Sequence, residues 1–100
     1  MNLQARQVVY VRCDFGPGDF PTDRKFAIDG FNRSTADENY CFALDRTTRI
    51  GVMNLDRSKP SPGYVLGLVV GSTESGMTRV ECPDGDIYEL RADQFVSKSA

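Results

Sequence analysis

One hundred residues, 40% of them apolar, make one domain with a single core, too short for a catalytic domain beside a separate binding domain. Twelve basic against fourteen acidic side chains, a net charge of −2, argue against a domain held on DNA by bulk electrostatics. Histidine is absent, so the commonest general base and metal ligand is missing, and neither a cofactor nor a metal site is expected.

Residues Met1 to Gln7 lack the apolar stretch of a signal peptide. The longest apolar run, Tyr64 to Val70, is interrupted by Gly67 and far shorter than a bilayer span. A cytoplasmic chain with no membrane partner is the expectation. Cys13, Cys41 and Cys82 are odd in number and widely separated, which fits neither a disulfide framework nor a zinc ribbon; they read as small buried apolar side chains.

Gln7 to Cys13 alternates with a period of two, setting Val9, Val11 and Cys13 against Val8, Tyr10 and Arg12, and predicts the first strand. Asp14 to Pro21 holds two glycines and two prolines and reads as a loop. Lys25 to Phe31 resumes alternation with Phe26 and Ile28 on one face, a second strand. From Thr35 to Arg46 two readings compete. Thr35-Ala36-Asp37-Glu38 has the spacing of a helix capping box, whereas a strand gathers Tyr40, Phe42 and Leu44 on one face with Cys41, Ala43 and Asp45 behind; the strand is favoured.

Ile50 to Leu55 reads as a short strand ended by Asp56 to Gly63, a second cluster of prolines and small polar residues that divides the chain into halves. Tyr64 to Val70 is apolar on both faces with Gly67 in the middle, as a central strand would be where another backbone comes close or the sheet bends. Ser72 to Gly76 is a polar turn, and Thr78 to Cys82 points Val80 and Cys82 inward. Asp84-Gly85 marks a tight hairpin needing positive φ, followed by a strand with Tyr88 and Leu90 inward. Ala92 to Val96 allows one turn that plugs Phe95 into an open end of the sheet, and residues 1–6 and 97–100 are expected to fray.

Six or seven short strands with at most one or two helical turns describe a single all-β domain over residues 1–100, a small barrel or compact sandwich. The order from Gly63 to Val96 (Gly-containing strand, polar turn, strand, Asp-Gly hairpin, strand, closing turn with Phe95) resembles the last three strands of SH3-like small barrels. That resemblance covers about a third of the chain and implies a fold without a function. The run Gly18-Asp19-Phe20-Pro21-Thr22-Asp23-Arg24 and the segment Tyr40 to Asp45 resemble small uncharacterised bacterial proteins with a Gly-x-Phe-Pro/Ser-Ser/Thr-acid-Arg run after the first strand, although Asn32 to Glu38 departs from that pattern.

Candidate chemistry is sparse. Asp84 and Asp86 are close enough to share a cation, yet the turn itself explains Asp-Gly-Asp. Asp19 and Asp23 flank Phe20 to Thr22 and suggest a paired-carboxylate enzyme as a minor alternative, against which stands ordinary solvation with a salt bridge to Arg24. The charge distribution is uneven. Asp14 to Tyr40 carries six acids against three bases and Glu74 to Asp93 six against two, whereas Leu44 to Pro60 carries Arg46, Arg49, Arg57 and Lys59 against Asp45 and Asp56.

The leading expectation is a non-enzymatic β module binding a protein or peptide, including a copy of itself through a strand edge, with Phe15 and Phe20 presented by the Gly/Pro loop beside Arg24. The alternative is RNA binding through Arg46, Arg49, Arg57 and Lys59 converging near Phe20 or Tyr64; DNA is not expected.

Overall fold

The computed structural model of the chain describes residues 7–51 and 55–98. It is all-β, a single curled antiparallel sheet of eight strands that forms a half-barrel. The strands are β1 (Val8–Pro17), β2 (Asp23–Ala27), β3 (Ser34–Asp37), β4 (Cys41–Ala43), β5 (Ser61–Ser72), β6 (Thr78–Glu81), β7 (Ile87–Leu90) and β8 (Phe95–Ser97). Two 3-10 turns, Glu38–Tyr40 and Ala92–Gln94, precede β4 and β8.

The two long strands form the spine. β1 and β5 pair from Val8 opposite Leu68 to Phe15 opposite Ser61. Each then carries two short strands end to end on its other edge. β1 takes β8 at Val9 to Val11 and β2 at Asp14 to Pro17. β5 takes β4 at Gly63 to Val65 and β6 at Leu68 to Ser72. β3 lies outside β2, and β7 outside β6. A register shift between Val69 and Gly71 bends β5, as a bulge does, and increases the local twist.

Alternation sets the core on the concave face. Val9, Val11, Cys13 and Phe15 of β1 meet Val65 and Val69 of β5, Phe26 of β2, Cys41 of β4, Val80 of β6 and Tyr88 and Leu90 of β7, all buried. Each large apolar side chain so removed from water contributes about 1.5–3 kcal/mol. The curl carries Tyr88 over to Phe26, with ring centroids 6.5 Å apart, and to Phe31 at 5.0 Å. Gly67 sits between β1 and β6 with no room for a side chain: a Cβ there would collide with a Val80 methyl and lie 3.2 Å from a Val11 methyl. The close approach expected at that glycine is therefore made by side chains of the neighbouring strands.

Several boundaries differ from expectation. β1 does not stop at Cys13 but runs through Asp14-Phe15-Gly16-Pro17. The backbone groups of its odd-numbered residues face β5, as the Val69 N–H donating to the Gln7 carbonyl at 2.8 Å indicates, and that ladder ends at Phe15. Pro17 thus lacks an N–H only where no partner strand requires one. Pro62 enters β5 for the same reason, lying one position beyond the last β4 pair at Gly63. β2 begins at Asp23, two residues earlier than expected, and closes at a turn in which the Phe31 N–H donates to the Ile28 carbonyl at 2.9 Å; Phe26 and Ile28 are buried as the alternation required.

Between Ser34 and Ala43 the strand reading holds, but as two short strands broken by a 3-10 turn whose N-terminal Asp37 carboxylate accepts the Asn39 N–H at 2.9 Å. The middle of the expected Ile50–Leu55 strand, residues 52–54, lies outside the described residues; Ile50 is buried and Arg49 bridges to Phe42. Ser97, expected to fray, pairs with Val9 and its hydroxyl accepts the Gln7 side-chain N–H at 2.6 Å. The other residues expected to fray, apart from Lys98, lie outside the described ones. The β6–β7 hairpin is as expected: the Cys82 N–H donates to the Asp86 carbonyl at 3.0 Å, the Gly85 N–H to the Cys82 carbonyl at 2.9 Å, and Gly85 has φ +87°. Among the described residues no helix is long and apolar enough to cross a membrane.

Candidate interaction face

The same alternation that fills the concave side leaves an apolar set on the convex one. Val8 and Tyr10 of β1, Phe42 of β4, Tyr64, Leu66 and Leu68 of β5 and Val96 of β8 all project outward, between half-buried and exposed. Among the described residues no second layer covers them. Strand register arranges them in rows. Arg12, Tyr64, Phe42 and Arg49 stand in line across β1, β5, β4 and the segment bridged to it. The next row holds Val96, Tyr10 and Leu66, and the one after it Val8, Leu68 and Glu81.

The aromatic part of this face is locked by edge-on contacts. The Tyr10 ring lies 5.7 Å from Phe42 at 86° and 6.1 Å from Tyr64 at 68°. Such geometries suit the ring quadrupoles and fix side chains that would otherwise sample several rotamers. The Arg12 guanidinium lies 6.0 Å from the Tyr64 ring centre and donates to the Cys13 and Gly63 carbonyls at 3.2 and 3.4 Å. Leu66 falls between the last β4 pair, at Val65, and the first β6 pair, at Leu68. An apolar groove of about 310 Å³ opens there, lined by Val8, Tyr40, Leu66, Leu68 and Pro83 with Glu81 at its side.

The expected ligand residues are distributed differently. Phe15 is not presented by a loop; it is 1% exposed and part of the core, because β1 continues through it. Arg24 is 2% exposed. Its Nε donates to the Ile50 carbonyl at 3.1 Å, Nη1 to the Pro21 and Asp23 carbonyls at 2.7 and 2.9 Å, and Nη2 to Glu38 Oε2 at 3.1 Å. It therefore ties three loops to the core and is buried in internal contacts rather than presented to a ligand; Glu38, not Asp19 or Asp23, is its carboxylate partner. Asp19 instead faces Lys25 at 3.8 Å. Phe20 is 66% exposed, at the tip of a turn closed by the Asp23 N–H donating to its carbonyl.

The middle cations divide between two places. Arg49 is carried by register to the Tyr64 row, and Arg46 lies three residues before it in the same hairpin. Arg46 holds a left-handed backbone, φ 64°, uncommon without glycine. The Asp45 carboxylate secures that hairpin by accepting the Thr47 and Thr48 N–H groups and the Thr48 hydroxyl at 2.7–2.9 Å, bonds that hold its pKa down at about 2. Arg57 lines a different cleft, of about 420 Å³, with Lys25 and Arg33 opposed by Asp14, Asp19 and Asp56. Lys59 follows in the turn closed by its N–H on the Asp56 carbonyl. Three acids against three bases give that cleft no dominant sign.

The buried thiols offer no nucleophile at neutral pH. Burial pushes the Cys41 and Cys82 thiols up to about 12 and Cys13 higher still, so the reactive thiolate is scarcely populated. In the hairpin, Asp84 accepts the Asp86 N–H at 3.1 Å and the Tyr88 hydroxyl at 2.6 Å, so its oxygens serve the turn. Tyr10, Phe42 and Leu66 escaped the sequence reading as a surface, which named only Tyr64; the signal that points to them is the two-faced apolar pattern of Tyr64 to Val70, which reads equally as a strand buried between layers. No protein-family model matches the chain, and neither the curated proteins nor the solved structures contain a match to it.

Proposed function

We propose that the chain is a non-enzymatic binding module that docks a protein partner on the outer face of β1, β4, β5 and β8. One observation carries this reading: β5 is apolar on both faces, and among the described residues only its concave face is covered. Contiguous apolar surface rimmed by charge is a feature of protein-binding sites, and rigid aromatics supply contact area at low entropic cost. Leu66→Lys places a charge at the centre of the face without touching the core. Immobilised wild-type chain is expected to retain a partner from lysate that Leu66→Lys does not; identical retention by both would defeat the reading.

A second reading, RNA binding, is favoured by the Arg12–Tyr64–Phe42–Arg49 row, since aromatics flanked by arginine on an open sheet face serve as stacking platforms for single strands. The edge-on packing of Tyr10 against both rings and the net charge of −2 weigh against it. Salt-dependent retention of single-stranded RNA that disappears in Arg46→Glu/Arg49→Glu would reverse the preference.

A further inference from the structure

We infer that the partner of this face is a second copy of the chain, packed face to face about a two-fold axis that runs across the strands near Leu66. The inference rests on the protein-binding reading and adds the occupant. A two-fold interface must be complementary to itself, so a residue on one copy and its counterpart on the other exchange roles. The outer face meets that condition in its charges as well as its apolar centre. Arg49 stands in the Tyr64 row and Glu81 in the Leu68 row, four residues along β5, or about 13 Å. Both lie on the side of β5 away from β1, and neither makes an ion pair among the described residues.

An axis across the strands exchanges the Tyr64 and Leu68 rows while keeping each side in place. It therefore sets Glu81 of each copy opposite Phe42 of the other, one strand spacing of about 4.8 Å from Arg49 and within reach of its long side chain, twice, with Leu66 meeting its counterpart between them. An axis along the strands would instead oppose Arg12 with Arg49, like against like, which disfavours that packing. Sheets stacked this way sit about 10 Å apart, a distance that side chains from both faces fill.

Size sets the strength. Four strands at about 4.8 Å spacing and seven residues of β5 give a footprint of roughly 20 by 20 Å, about 400 Å² per copy, which is half of what a stable specific interface buries and fits a transient one. The expected dimer is weak and concentration-dependent. Strand-edge pairing is a poorer route, because the outermost strands β3 and β7 are four residues each and carry Asp37 and Glu89, which guard an edge.

Sedimentation of the full chain from about 5 to about 500 μM tests this, each variant first being checked for a wild-type circular dichroism spectrum and melting temperature. The wild type is expected to pass from monomer to dimer over that range. Leu66→Lys should remain monomeric, as should Val96→Lys, an exposed position that serves if the first variant is unstable. Arg49→Glu and Glu81→Arg should each weaken the dimer about tenfold, and together restore it to within about threefold. A wild type that stays monomeric throughout, or a charge-swapped double variant weaker than both singles, would overturn the inference. If the monomeric wild type still captures a lysate protein that Leu66→Lys loses, the binding face survives and the self-association falls; if it captures nothing, both fall.

Discussion

Val65 and Leu66 are neighbours on β5 and live in different surroundings. Val65 has no exposure and sits between Val11 of β1 and Cys41 of β4 on the concave face. Leu66 is half-buried on the convex face, at the floor of an apolar groove. Along β5 both faces are apolar, so hydrophobicity alone does not tell which one holds the fold together. Coverage does: the concave face is enclosed by the curl of the sheet, whereas the convex face lacks a second layer among the described residues. Burial on the first is used for stability. On the second the described residues leave the apolar surface uncovered.

Substitutions on the concave side should therefore cost far more than those on the convex side. Arg24→Met is expected to cost about 3 kcal/mol in urea unfolding, because it strips donors from the buried Ile50 carbonyl and the part-buried Pro21 carbonyl and leaves Glu38 unpaired. A loss below about 1 kcal/mol would mean that water replaces those donors easily. Gly67→Ala should cost about 1–3 kcal/mol through overpacking against Val80, and a melting temperature equal to the wild type would show that β6 gives way without cost.

Alkaline pH probes the same interior without mutation. Cys41 and Cys82 titrate at about 12 when folded against an ordinary 9.0. Between those values the unfolded chain releases protons that the folded chain retains, so stability present below pH 9 is lost as pH rises. The expected slope is about 1.4 kcal/mol per pH unit for each thiol, steepened by Cys13. A stability profile flat from pH 8 to 11 would indicate that the thiols reach water.

How far the sequence anticipates this arrangement depends on which force decides each segment. Where alternation is local and uncontested, as in Gln7–Cys13, Thr78–Cys82 and the Asp84-Gly85 hairpin, strands and inward faces follow directly from side-chain period and turn chemistry. Gly16-Pro17 and Pro62 misread as breakers because their tolerance depends on where the neighbouring strands end, a non-local fact. Arg24 reads as a surface ligand because arginine is seldom buried, and only the convergence of three loop carbonyls and Glu38 around it explains the exception. The apolar outer face was half legible. Tyr64 to Val70 announces two apolar faces, but whether a layer covers both is a property of the whole fold. Register alone brings Arg49 and Phe42 alongside Tyr64.

The most direct measurement is the paired urea unfolding of Val65→Lys and Leu66→Lys, the same substitution one residue apart. The account predicts that Val65→Lys loses more than about 4 kcal/mol or fails to fold, since its ammonium would lie unpaired in the core, whereas Leu66→Lys stays within about 1 kcal/mol of the wild type. Equal losses at the two positions would contradict it, because the convex face would then be as necessary to the fold as the concave one.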